Sequence, residues 1–185
     1  MEEDLATYAA EIRRTLGRPL EILVIGCGLF QEHGRLPADS RCTLLDVDPR
    51  VQAHLPASPL IAQSVILSTD QLPSALSQKF DLAYAKEVIE HIEEPAPYLE
   101  SLLTCLRPGG GVWLSTPNYG EPWLPLIEST LLEVIARSSG STRRGMHVSR
   151  FSRRSLARAL TAARFKEIQV QPVSFRLGLV AHARA

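Results

Sequence analysis

The sequence predicts an α/β fold, a parallel sheet with helices on both faces. Three observations carry the prediction. Short apolar strands alternate with helical stretches along most of the chain. The first strand stops at a glycine turn, Gly26-Cys27-Gly28, and an acid, Asp48, stands at the end of the next. The composition, 45% hydrophobic and 22% charged over 185 residues, is that of a globular domain able to bury a core. One domain over 1–185 is expected.

The elements follow in order. Leu5, Tyr8, Ala9, Ile12 and Leu16 fall on one helical stripe, giving an N-terminal helix over 1–17. Glu2, Glu3 and Asp4 sit near its positive end, and Gly17 and Pro19 close it. Glu21–Ile25 is a short buried strand, and Cys42–Asp48, halted by Pro49, is the second. A weaker third runs from Leu60 to Leu67, and a fourth from Phe80 to Ala85. Leu99, Leu102, Leu103 and Leu106 mark a helix ended by Pro108-Gly109-Gly110. A fifth strand, Val112–Ser115, leads into Thr116-Pro117-Asn118. Residues 123–137 read as a helix, inside an insertion over 119–150 on the substrate side. Ser152 caps the next helix, with Phe151 and Leu156 at the two positions of a hydrophobic staple. Ile168–Phe175 and Leu177–Ala181 read as two strands joined tightly.

Several function classes are disfavoured. Twenty basic and twenty acidic residues give zero net charge, which argues against coating nucleic acid by bulk charge. Three widely spaced cysteines, Cys27, Cys42 and Cys105, form neither a disulfide framework nor a cysteine zinc motif. The acidic N-terminus is unlike a signal peptide, and no apolar run is long enough to span a membrane. A cytoplasmic protein is expected.

The glycine turn is the most informative segment. Gly-x-Gly lets the backbone turn sharply at the carboxyl edge of a sheet and lets a ligand approach where no Cβ intervenes. Asp48, twenty residues after Gly28, suits both hydroxyls of a ribose. The third glycine of the dinucleotide fingerprint is replaced by Gln31. Phe30 and Gln31 would crowd a pyrophosphate at a helix N-terminus. A nucleoside without phosphates, S-adenosylmethionine, is therefore favoured over NAD.

On these pieces the chain resembles the class I S-adenosylmethionine-dependent methyltransferases. The matching segments are Ile22–Gly28, Leu44–Pro49, Phe80–His91, Leu106–Gly110 and Leu114–Asn118, in the family's order. The resemblance implies a Rossmann-like, seven-stranded, mostly parallel sheet with an antiparallel last strand. It implies a cofactor site at Gly26, Cys27, Gly28, Val47, Asp48, Lys86 and Glu87, with Ser68 and Asp70 at the adenine. Phe30 stands where the family often has a third glycine.

Methyl transfer from a sulfonium is an in-line displacement, so the protein chiefly positions the acceptor. A base is needed only where the acceptor holds its proton. At helical spacing, Glu87, Glu90 and His91 would share a face, and His147 is a fourth polar candidate. His91 and His147 are the candidate catalytic bases. Glu87, Glu90, His91 and His147 are the candidate ligands of a divalent metal, as in some relatives that methylate hydroxyls. Arg137, Arg143, Arg144, Arg150, Arg153, Arg154, Arg158 and Arg164 lie in a stretch without acids between Glu133 and Glu167. They suit an anionic substrate. The resulting expectation is methylation of a hydroxyl, or an amine, of a small metabolite, bound either in an open site or in one that the partner protomer of a homodimer completes. The alternatives are 2′-O-methylation of an RNA 3′ end and a non-catalytic S-adenosylmethionine-binding protein.

Overall fold

A computed structural model of the chain describes residues 2–67, 72, 74–122 and 147–185. Helix α1 spans Glu2–Leu16, α2 Pro95–Cys105 and α3 Arg153–Ala162. The strands are β1 (Glu21–Ile25), β2 (Arg41–Asp46), β3 (Ile61–Ile66), β4 (Phe80–Lys86), β5 (Leu106–Pro117), β6 (Lys166–Val173) and β7 (Gly178–Arg184). They form one seven-stranded sheet in the order β3-β2-β1-β4-β5-β7-β6. The pairs from β3 to β5 are parallel, and β7 runs antiparallel to both β5 and β6. This is the predicted mostly parallel sheet with an antiparallel last strand.

Each face of the sheet has its own core. On one side, Leu5, Tyr8, Ala9 and Ile12 of α1 pack with Ile22, Val24, Leu44, Tyr84 and Trp113. On the other, Leu99 and Leu102 of α2 and Leu156 and Leu160 of α3 pack with Leu23, Ala83, Val112 and Ala181. The continuous apolar runs of β1 and β4 follow from burial on both faces. Helix α1 is pinned at its start by Asp4, which accepts from Trp113 Nε1 (3.1 Å) and contacts His182 Nε2 (2.6 Å). At the amino end of the central strand β4, fully buried Asp81 accepts two bonds from Arg18 and one from the Glu21 N–H. Burial works to raise the Asp81 carboxyl, but these donors and Arg107 hold it below its usual range.

The cap of α3 is as predicted. Ser152 and Ser155 form a reciprocal capping box, and the staple residues Phe151 and Leu156 are both buried. Three expectations are corrected. The segment Leu106–Gly110 does not end a helix but opens the long strand β5. Two residues of β4 oppose the wider interval from Leu106 to Gly111, so an irregular register absorbs Pro108-Gly109. The second strand ends at Asp46, and Asp48 instead caps a 3-10 turn over Pro49–His54. Glu87, Glu90 and His91 do not share a helix: Glu87 has a left-handed backbone (φ 54°), and only Ile89–His91 make a 3-10 turn. The expected helix over 123–137 and the residues Ser68, Asp70, Arg137, Arg143 and Arg144 lie outside the described residues. Among the described residues, no helix is long and apolar enough to cross a membrane.

Candidate active site

The sheet order places the carboxyl ends of β1 and β4 side by side while the chain runs off toward β2 and toward β5. Ligands of open α/β sheets bind in the crevice at such a switch point. Here the crevice is a cavity of about 320 Å³ lined by Ile25, Gly26, Leu45, Asp46, Val47, Leu67, Glu87, Val88, His91, Ile92 and Tyr98.

Its floor is the glycine turn. Gly26 and Gly28 have left-handed backbones (φ 62° and 47°). A Cβ on Gly26 would stand 2.5 Å from Val88 Cγ2, so only glycine fits there. Asp46 holds the turn in shape. Its Oδ2 accepts from the Gly28 N–H (2.9 Å), and its Oδ1 from the Asp48 N–H (3.0 Å). A carboxylate has about four acceptor positions, so Asp46 keeps capacity for a ligand. Asp48 lies outside the cavity lining and is occupied by Arg50 at 2.6 Å. That guanidinium and the Arg50 N–H hold the Asp48 carboxyl down at about 2.

Cys27 is buried, and its thiol is pushed up to about 12 by burial and the Asp46 charge, so it is a packing residue and not a nucleophile. Phe30 does not crowd the turn. It folds into the core in a left-handed conformation, and a five-residue 3-10 turn over Gln31–Arg35 follows.

The polar side of the site is built around the β4 end. The Glu87 N–H donates to the carbonyl of Ser115 (3.1 Å) and its hydroxyl oxygen (3.2 Å), and the Ser115 hydroxyl donates to Glu87 Oε1 (2.8 Å). These bonds offset the cost of a left-handed glutamate. Glu90 is 1% exposed, and neither of its carboxylate oxygens has a hydrogen-bond partner. Burial, and then the Glu87 charge, push its carboxyl up to about 8.

The segment after residue 146 is sewn onto this turn. The Ser149 N–H donates to the Glu90 carbonyl (3.0 Å), and its hydroxyl donates to the Ile92 carbonyl (2.7 Å). Phe151 makes a parallel bridge with Asn118. His147 is thereby brought to His91, with ring centroids 5.0 Å apart and edge-on. Tyr119 meets His147 Nδ1 at 2.6 Å and fixes that ring. The donor atoms of Glu90, His91 and His147 lie within 4.8 Å of one another. Glu87 stays outside that group.

Of the residues expected at the site, Gly26, Val47, Glu87 and His91 line one cavity, and Glu90 and His147 cluster beside His91. Lys86 faces a second cavity across the glycine turn, paired with Glu32. Sequence reasoning missed Asp46, Ser115 and Tyr119. The pattern Asp46-Val47-Asp48-Pro49 held the signal for the first. It makes two overlapping Asx turns, in which each aspartate accepts from the N–H two residues on.

A family model described as a methyltransferase domain matches residues 1–170. A ubiquinone biosynthesis O-methyltransferase of Cereibacter sphaeroides is 34% identical over 124 residues, covering 60% of this chain and 48% of its own. The same-named enzyme of Aeromonas salmonicida is 26% identical over 170 residues, covering 85% of this chain and 70% of its own. The chain spans less than half the length of most of the curated relatives it matches. Among solved structures, that of the trans-methyltransferase CalH in complex with S-adenosylhomocysteine superimposes with a TM-score of 0.72. It is 17% identical, and the match covers 97% of this chain and 55% of that one. With the seven-stranded order, the glycine turn and the family match in agreement, the chain belongs to the methyltransferase domain family.

Proposed function

We propose that the chain transfers the methyl group of S-adenosylmethionine to a hydroxyl of a small molecule. The observation that carries this is the crevice at the switch point, where Gly26, Asp46 and Glu87 line one cavity with His91, which clusters with Glu90 and His147. The residues fit the cofactor. Only glycine fits at 26, Asp46 has acceptor capacity for a ribose, and Leu67, Ile92 and Tyr98 supply apolar and aromatic surface for a base. When bound, the cofactor supplies an electrophilic methyl group on sulfur. The chain's own work is to orient the acceptor and to take its proton. His91 and His147 stand ready for that step, with the His147 ring set by Tyr119. The relatives named as ubiquinone biosynthesis O-methyltransferases support an oxygen acceptor. Calorimetry with S-adenosylhomocysteine, followed by its release from S-adenosylmethionine with a panel of phenols and catechols, tests the reading. No binding at millimolar ligand would sink it.

Asp46, not Asp48, is the ribose acid in this reading, because it alone of the two lines the cavity. Asp46→Asn should lower S-adenosylhomocysteine affinity about 10- to 30-fold, the worth of a charged hydrogen bond. Asp48→Asn should leave it within about 2-fold. Equal losses in a calorimetric titration would return the role to Asp48.

The same cluster supports a divalent cation. Two imidazoles and a carboxylate converge, and both Glu90 oxygens are buried without partners, which is costly unless something binds them. Such a cation would hold and acidify an acceptor hydroxyl. Equilibrium dialysis with Mn²⁺ or Zn²⁺ should find one equivalent. His147→Ala should weaken binding about 100-fold, since one of three ligands is lost. Unchanged binding would leave the histidines as metal-free bases. Arg153 and Arg154 line a separate open groove of about 990 Å³ together with Arg176 and its ion-pair partner Glu121, and the excess of positive charge there supports an anionic acceptor.

A further inference from the structure

The two edges of the sheet are built differently. The edge strand β6 is defended against further pairing. It opens with Lys166 and Glu167, Glu167 has a left-handed backbone (φ 49°), and the register with β7 shifts between Lys166 and Gln169. Pro172, within the strand, has no N–H to offer. Charges, an irregular register and a proline are devices that keep an edge from accepting another strand.

The opposite edge, β3, has neither charge nor proline in Ile61-Ala62-Gln63-Ser64-Val65-Ile66. Its pairing with β2 shifts once, at Ala62, and is regular from Gln63 to Ile66. The strand lies in residues 55–69, the longest run of the chain without Asp, Glu, Lys, Arg or His. The next longest, 108–120, holds most of β5, which is paired on both sides. β3 thus has the composition of an interior strand at the end of a sheet. Its faces are thinly covered as well. The connections from β1 to β4 carry 3-10 turns over Gln31–Arg35, Pro49–His54 and Ser74–Leu76, where parallel strands are usually joined through a helix. Val51, Leu55 and Ile61 pack against one core, and Val65, Leu67 and Leu76 against the other, yet all six stay half-buried. Among the described residues, β3 alone of the seven strands has no fully buried residue.

We infer that β3 pairs with β3 of a second copy of this chain, antiparallel across a two-fold axis, so that the two sheets become one. Charge decides the occupant. Across a two-fold axis an antiparallel strand meets itself: one residue stands opposite its own copy, and its neighbours stand opposite near copies. Any charge there would face its like, which is destabilising. A charge-free strand is therefore what self-pairing needs. A partner of a different sequence, selected by charge, would need charges on this edge to read. Pairing also covers the half-buried apolar residues that flank β3 on both faces, and it removes an open edge that would otherwise invite aggregation.

The test is sedimentation velocity on the 185-residue chain. Between about 1 and 200 µM the mass should rise from one chain, 20.4 kDa, to two, as for a small interface. Gln63 is exposed, so Gln63→Lys should leave the melting temperature of the dilute protein within about 2 °C. It should weaken the dimer at least about 30-fold, because like charges then meet across the axis. Gln63→Glu should do the same. An equal mixture of the two variants should dimerise about as well as the wild type, since opposite charges now face each other. Gln169→Lys, on the other edge, should leave the dimer within about 2-fold. A chain that stays monomeric at the highest concentration overturns the inference, and any occupant of this edge is then a different molecule. A dimer indifferent to Gln63→Lys, or broken by Gln169→Lys, uses another surface and also overturns it. A loss in the two Gln63 variants that mixing does not restore would mean that β3 meets some other part of the second copy, and the two-fold pairing falls.

Discussion

Gly26→Val lowers affinity for S-adenosylhomocysteine roughly 1,000-fold, whereas Gly28→Val lowers it only about 10-fold. Both positions have left-handed backbones, φ 62° and 47°, so both variants meet the same conformational cost of about 1–2 kcal/mol. They differ in what the new side chain meets. A Cβ at Gly28 finds nothing within 4 Å, while one at Gly26 stands 2.5 Å from Val88 Cγ2. Val88 lies between Glu87 and the Ile89–His91 turn and packs against the core. It has little room to retreat, and any shift carries Glu87 and His91 with it, so three lining residues of the cavity move together. Calorimetry on the two variants, with melting temperature as the check on folding, separates the steric effect from the backbone effect. Similar losses in both would show that the left-handed turn matters and the close approach to Val88 does not.

The sheet was legible because its strands are buried on both faces. Leu23, Val24, Leu82 and Ala83 are fully buried, so apolar runs ending at glycine or proline mark strands without any periodicity. The C-terminal pair β6 and β7 was legible from β-branched and apolar runs around a short turn. The error at Leu106–Gly110 has a simple cause. Pro-Gly-Gly is a turn signal by local chemistry, yet Leu106 on one side of it pairs with Phe80 and Gly111 on the other side with Leu82, so one strand continues across it. Tertiary pairing outweighed local preference.

At the site, residues that line the crevice through strand ends were readable, because strand ends are punctuated in the sequence. Gly26 and Glu87 are of this kind. Relations that depend on backbone handedness were not. Glu87, Glu90 and His91 have helical spacing, but the Ser115 carbonyl and hydroxyl capture the Glu87 N–H and hold that residue left-handed. That rotation separates Glu87 from the cluster that Glu90 and His91 form with His147. Likewise Asp46 and Asp48 are equal as letters. Only the chain's turn at Asp46 and the reach of Arg50 decide which one faces the crevice.

Glu90→Gln raises the melting temperature by about 5–10 °C at pH 9 and changes it little at pH 5, when both proteins are measured in chelator. The Glu90 carboxyl is buried without partners, and burial together with the Glu87 charge pushes it up to about 8. A carboxyl whose folded value lies above its ordinary one favours the protonated fold. The native state then meets no penalty below about 4.5, and the cost grows as pH rises toward 8. At pH 9 the cost is on the order of 2–4 kcal/mol, which glutamine, having no charge to bury, does not meet. A buried amide carries its own polar cost, but that cost is independent of pH and cancels in the comparison between pH 5 and pH 9. The variant is thus more stable where the wild type carries an unpaired charge. It should also lose the proposed divalent-cation site, to which Glu90 would supply the carboxylate. Stability gained with cation binding lost is the trade expected when a buried charge is kept for function. If Glu90→Gln melts no higher than the wild type at pH 9 in chelator, the carboxylate is solvated or paired in solution, and it is not held in reserve for a ligand.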